Sequence, residues 1–243
     1  MKAVLALLAL AGAGVVAWNP SNQGEREVVK FATSLDGRTP GQSRNARLAA
    51  RAIDGKVIPA RREFSFNKTL GGWTRDKGYV LAPVSYNGQL LPSWGGGVCQ
   101  TSTTLYNAAL EAGLEIRERH RHEFGPTYVA PGRDAAVAYE DIDLRIANPF
   151  DFPLTIRAKI EGDRLVVGLV ASQPLPRRAA VRSVVLSMSA PGEWKVGQGD
   201  RARVRNSGKP GLEVQVWRDW GNRRELVSHD TYPVMHRIVE RAN

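Results

Sequence analysis

The chain has 243 residues, 42% of them hydrophobic, and 34 Lys and Arg against 24 Asp and Glu, for a net charge of +10 at neutral pH. That hydrophobic share supports a packed core and excludes disorder as the default state, and the single cysteine excludes an internal disulfide. So basic a surface favours polyanions, but no aromatic-basic RNA motif or recognition-helix pattern supports nucleic acid, which leaves wall polymers or lipid headgroups.

In chain order, the first segment is an uncharged run from Ala3 to Trp18 behind Lys2, closed by Asn19-Pro20. This layout predicts a secretory signal peptide or an N-terminal anchor over residues 1–17, with a membrane tether through 1–18 if it is not cleaved. Either outcome places the rest outside the cytoplasm. A short strand is predicted at Val28–Thr33, then a helix from Arg44 to Asp54 capped by Ser43 and stopped at Gly55. Glu63–Asn67 reads as a strand. Tyr79–Tyr86 reads as extended, and Asn87-Gly88 as a hairpin turn.

Gly95-Gly96-Gly97 then delivers the chain to a helix in which Leu105, Ala108, Ala109 and Ala112 recur at helical spacing, with Gly113 as its stop. A strand from Leu114 to Arg119 follows. Period-two alternation at Ile142–Ile146, Leu154–Ile160 and Leu165–Leu169 predicts an antiparallel meander. Ser172–Arg178 is the candidate linker, with more strands beyond it. With 24 Gly and 14 Pro for turns, the expected fold class is α+β: helices packed on an antiparallel β-meander, with a small C-terminal β extension. The corresponding domains are 40–172 and a β-rich region over 177–243.

Cys99 sits where the glycine run meets the helix. The positive end of a helix dipole favours thiolate, and no carboxylate among Gln100–Thr104 opposes it. Unpaired N–H groups from Gly97 to Gln100, with Gly95 and Gly96, can form an oxyanion hole. A thiol nucleophile needs a base, and of four histidines His120 and His122 are the ones that return. A helix of about 20 Å from Cys99 to Ala112 is matched by a strand of roughly six residues running back, the arrangement of papain-like and transglutaminase-like thiol sites. Asp134 and Asp143 are candidates to orient the imidazole. Trp73, Trp94, Ser102, Thr103, Tyr106 and Arg133 are candidates for the substrate cleft. A metal site on Cys99, His120 and His122 lacks a second cysteine and the usual spacing, so no metal or cofactor is called for.

Around these residues the chain resembles the VanW family. The resemblance rests on Phe64-Ser65-Phe66-Asn67, on Gly95–Gln100 with Ser102–Asn107, and on Glu118-Arg119 with His122; it continues through Tyr128-Val129, Pro131–Ala135 and Asn148. It implies a bacterial envelope protein, and its pattern includes positions matching Cys99, His122 and Asp134. Glu123 stands where a small hydroxyl residue is common in the family. The resemblance brings no reaction with it. Two functions therefore stay open: a thiol-dependent hydrolase or transpeptidase acting on peptidoglycan amides, or a non-catalytic module binding peptidoglycan or another anionic wall polymer, with Cys99 structural.

Overall fold

The computed structural model describes residues 24–86, 89–139 and 141–242. The predicted signal or anchor segment and the Asn87-Gly88 turn lie outside them. No helix among the described residues is long and apolar enough to cross a membrane.

The architecture corrects the expected α+β class. Among the described residues the chain is mostly β, with fifteen strands, three helices and five small sheets. The largest sheet has the order β1 (Arg26–Ser34), β9 (Arg164–Ala171), β8 (Leu154–Glu161), β2 (Val57–Ile58). Only β8 and β9 of the expected meander are sequential neighbours, joined through Gly162. The strand expected before them is β7 (Arg145–Ala147), which pairs instead with β3 (Glu63–Ser65) and β6 (Glu115–Glu118) in a separate sheet. The buried Asn148 turns the chain away there: its amide donates to the carbonyls of Ile58 and Phe152 and its oxygen accepts from the Phe150 amide. Alternation identifies which face of a strand is buried but not which strand lies beside it. That is why the segment was legible and its partner was not.

The first helix, α1, runs Pro40–Ile53 and begins earlier than predicted. Its cap is Thr39, whose hydroxyl accepts from the Gln42 amide while the Gln42 side chain accepts from Thr39, with Pro40 in the first turn. Ser65 ends β3 by capping α2 (Phe66–Leu70), so the strand predicted through Asn67 is shorter. β4 (Leu81–Tyr86) and β5 (Gln89–Trp94) form an antiparallel ribbon that leads into the glycine run.

The third helix, α3 (Val98–Ala112), is the centre of the molecule, buried on nearly every side and packed on β1, β9 and α1. Most of its buried hydroxyl and amide side chains survive there because they find acceptors, the Tyr106 hydroxyl being the exception. Thr101 donates to the Ala46 carbonyl, Thr104 to Gln100, and Asn107 to Thr103 and Arg133.

The C-terminal region, expected as a small β extension, carries six strands in two three-stranded sheets. One sheet has the order β10 (Ala180–Ser189), β13 (Gly211–Asp219), β14 (Arg224–Tyr232), and another the order β11 (Glu193–Val196), β15 (Arg237–Ala242), β12 (Arg201–Asn206). In the Ser172–Arg178 segment Leu175 packs on the core while its neighbours are exposed, and the next amide, of Ala179, donates to the Glu111 carbonyl.

Candidate active site

The three glycines before α3 are there because their neighbours leave no room for a side chain. At Gly95 (φ +76°) a Cβ would run into the Trp73 indole, at Gly96 into the Ala82 and Pro83 carbonyls, and at Gly97 (φ +109°) into the Gln42 carbonyl. The turn is thus clamped between β4, α1 and Trp73, which fixes where α3 starts. Two N–H groups are committed inside the turn, Val98 to the Gly95 carbonyl and Gln100 to that of Gly97. The Cys99 amide has no intramolecular acceptor among the described residues.

Cys99 is half-buried, with Sγ 3.4 Å from the Val137 carbonyl oxygen, and the His122 ring lines the same cleft and acts on the thiol. His122, not His120, is the histidine that returns to the helix start. The strand ends at Glu118, so the two rings do not share a face: His120 pairs with Ala136 through its backbone and turns its ring out to Glu118. The other ring nitrogen of His122, Nδ1, lies 2.6 Å from Asp134 Oδ2, which also accepts the His122 backbone N–H at 2.7 Å. The carboxylate therefore fixes both the position of the residue and the rotation of its ring. Asp143, the other candidate for this role, instead accepts from Ser65 and the Asn67 amide at the start of α2.

Asp134 is 1% exposed and its second oxygen is fully engaged. Oδ1 accepts from Arg119 Nη2 at 3.1 Å and from the Tyr232 hydroxyl. Arg119 also donates twice to Asp230 at 2.7 Å and to the Asp134 and Gly132 carbonyls. The relay thus runs Cys99–His122–Asp134–Arg119–Asp230, and its last member comes from β14.

Burial alone would push the Cys99 thiol up, but the hydrogen bond and charge of His122 outweigh it and hold the thiol below its ordinary value. Burial would lower the His122 imidazole; its bonds to Asp134 and Cys99 raise it instead to about 9. Burial likewise opposes ionisation of Asp134, yet His122 and Arg119 bring it down to about 2. Together the shifts draw the thiol toward thiolate beside a protonated His122 and an ionised Asp134. Tyr128, pushed far up by burial, stays a neutral phenol.

The dyad opens on a cleft of about 350 Å³ between the β4–β5 ribbon, the glycine turn and the Phe124–Tyr128 segment. Trp73 and Trp94 line it, as do Gly95, Gly96 and Gly97 through their backbone. The Gln100 side chain leaves it, donating to Thr33 Oγ1 at 3.0 Å and the Ser34 carbonyl at 2.7 Å, so it ties α3 to β1. Ser102, Thr103 and Tyr106 are fully buried behind the cleft wall. Ser102 donates to the Ala135 carbonyl and Thr103 accepts the Ala135 amide, which holds the Asp134–Val137 segment against α3. Tyr106 lies beneath the Arg119 guanidinium. Arg133 also points away, to Asn107 and Glu111, with Phe31 under it.

Arg119 and Tyr128 enter the sequence reading through the family resemblance, with no role attached, and Asp230 and Tyr232 do not enter it at all. Asp230 and Tyr232 are more than 90 positions from the residues they touch, and no local pattern signals such a contact.

Comparison with known proteins agrees with the resemblance carried by these residues. The chain is 39% identical over 153 residues to the uncharacterized protein YoaR of Bacillus subtilis, covering 63% of this chain and 50% of that one. It is 28% identical over 169 residues to the vancomycin B-type resistance protein VanW of Enterococcus faecalis, covering 68% and 56%. The matches thus span about half the length of these relatives. No solved structure matches the chain significantly. The sequence profile of the family described as VanW like protein matches residues 41–170, the segment holding α1, the glycine turn, Cys99, His122 and Asp134, and the chain belongs to that family.

Proposed function

We propose that this protein is an extracytoplasmic thiol enzyme that cleaves or exchanges amide bonds of peptidoglycan peptides. The observation that carries this reading is the Cys99–His122–Asp134 relay opening on a peptide-sized cleft. In the first half-reaction Cys99 Sγ attacks the amide carbonyl carbon, and the Cys99 N–H at the start of α3 faces the developing oxyanion. His122 then gives its proton to the departing amine as the C–N bond breaks, leaving a thioester. In the second half-reaction water or an acceptor amine loses its proton to His122 and attacks the thioester, which restores the thiolate. Water gives hydrolysis and an amine gives transpeptidation. Asp134 holds the ring throughout and stays ionised.

The envelope location rests on the apolar N-terminal segment and on similarity to a vancomycin B-type resistance protein. The basic surface suits an anionic wall. The test is to incubate the protein with purified muropeptides and follow both protein and peptide by mass spectrometry. A thioester adduct on Cys99, with a shortened or exchanged peptide, is expected, and Cys99→Ala abolishes both. Binding of intact muropeptides by both proteins, with no adduct or product, overturns the enzyme in favour of a binding module.

A further inference from the structure

Two cations on the cleft wall have no part in the relay. Arg38 closes the turn between β1 and α1 and stacks its guanidinium 4.5 Å over the Tyr128 ring. Lys209 arrives from the β12–β13 connection, where paired backbone bonds to Met235 hold it, and its Nζ donates to the Gly125 carbonyl at 2.9 Å. Both line the same cleft as Cys99 and both are half-buried.

Their partners set them apart from the other enclosed arginines. Arg119, Arg133 and Arg218 each hold a carboxylate, at 2.7, 3.2 and 3.0 Å respectively. Among the described residues no carboxylate acts on Arg38 or Lys209; burial weakens both charges, and Arg38 further disfavours the charge on Lys209. Two like charges drawn together out of bulk water, without a counter-ion, are unfavourable in the empty cleft. An anion bound between them would relieve both desolvation and repulsion. The Arg38 fork makes no side-chain hydrogen bond to the described residues, so it can present two parallel N–H donors.

We infer that Arg38 and Lys209 form a subsite for a free carboxylate of the peptide whose amide lies at Cys99. The rest of the lining favours a peptide acid over a bare inorganic anion, because Trp73, Val84, Leu90 and Phe124 give the cleft apolar walls. The inference deepens the proposed function and rests on it for the identity of the ligand as a peptide. It also assigns the C-terminal region a direct role, since Lys209 belongs to it.

The test is calorimetric titration of the full-length Cys99→Ala protein with N-acetyl-alanyl-alanine and with the same peptide as its carboxamide. With no thiol present, the result is independent of whether Cys99 reacts, so failure here and failure of the thiol chemistry are separately visible. The acid should bind at least about tenfold more tightly than the amide. Raising salt to about 0.3 M should erode that advantage in the unaltered cleft. Arg38→Gln and Lys209→Gln should each reduce it to about twofold or less, and Lys209→Arg should retain it. Equal affinity for acid and amide, binding of neither, or a preference surviving in both Gln variants would overturn the subsite.

Discussion

Asp134 has two tasks, and they can be separated by pH. Buried at 1% exposure, it is held ionised by His122, Arg119 and Tyr232, with its pKa at about 2 against an ordinary value near 3.8. A carboxyl depressed in the folded state contributes stability that is fully present above about pH 4 and is lost as pH falls toward 2. The shift corresponds to roughly 2 kcal/mol. Urea unfolding of the wild type should therefore lose about that much more stability between pH 4 and 2 than Asp134→Asn does. Parallel pH profiles for the two proteins would show that folding does not depress the Asp134 carboxyl. At neutral pH Asp134→Asn should be the less stable protein by about 3 kcal/mol or more, because Arg119 loses one of its two buried counter-charges.

At the scale of elements, the site depends on how a tight turn launches a buried helix. Gly97 combines φ +109° with a Gln42 carbonyl where a side chain would start, so Gly97→Ala should cost on the order of 2 kcal/mol or more. Gly37→Ala is the control: its φ is +71°, but nothing lies within 4 Å, so only the conformational cost of about 1 kcal/mol is expected. Thermal melts of the two variants read the difference, and equal losses would contradict the clamped turn. This element was largely legible in advance, because a glycine run, a helical repeat and a terminal Gly113 are all local signals. The cleft polar residues were not. Ser102 and Thr103 carry hydroxyls that could face substrate, but both turn inward to Ala135, and a sequence does not reveal whether a hydroxyl on a helix faces backbone or solvent. The strands were read from alternation, yet their grouping into five sheets depends on long-range pairing that alternation does not encode.

For the whole molecule, the central feature is that the C-terminal strands complete a site begun about a hundred residues earlier. Tyr232 and Asp230 on β14 brace Asp134 and Arg119, and Lys209 reaches the cleft. Neither Tyr232 nor Asp230 touches Cys99 by hydrogen bond, so their influence on the thiol passes through the positioned imidazole. The most direct measurement is the rate of Cys99 alkylation by iodoacetamide across pH, in the wild type, His122→Ala, His120→Ala and Tyr232→Phe. A reactive thiolate at neutral pH is expected in the wild type, with a rate midpoint well below the free-thiol value of about 8.5. At pH 7 the rate should fall at least about tenfold in His122→Ala, fall to a lesser degree in Tyr232→Phe, and stay within about twofold in His120→Ala. A midpoint at or above the free value, or one indifferent to His122, would mean that the thiol is not paired with the imidazole and that Cys99 is part of the architecture.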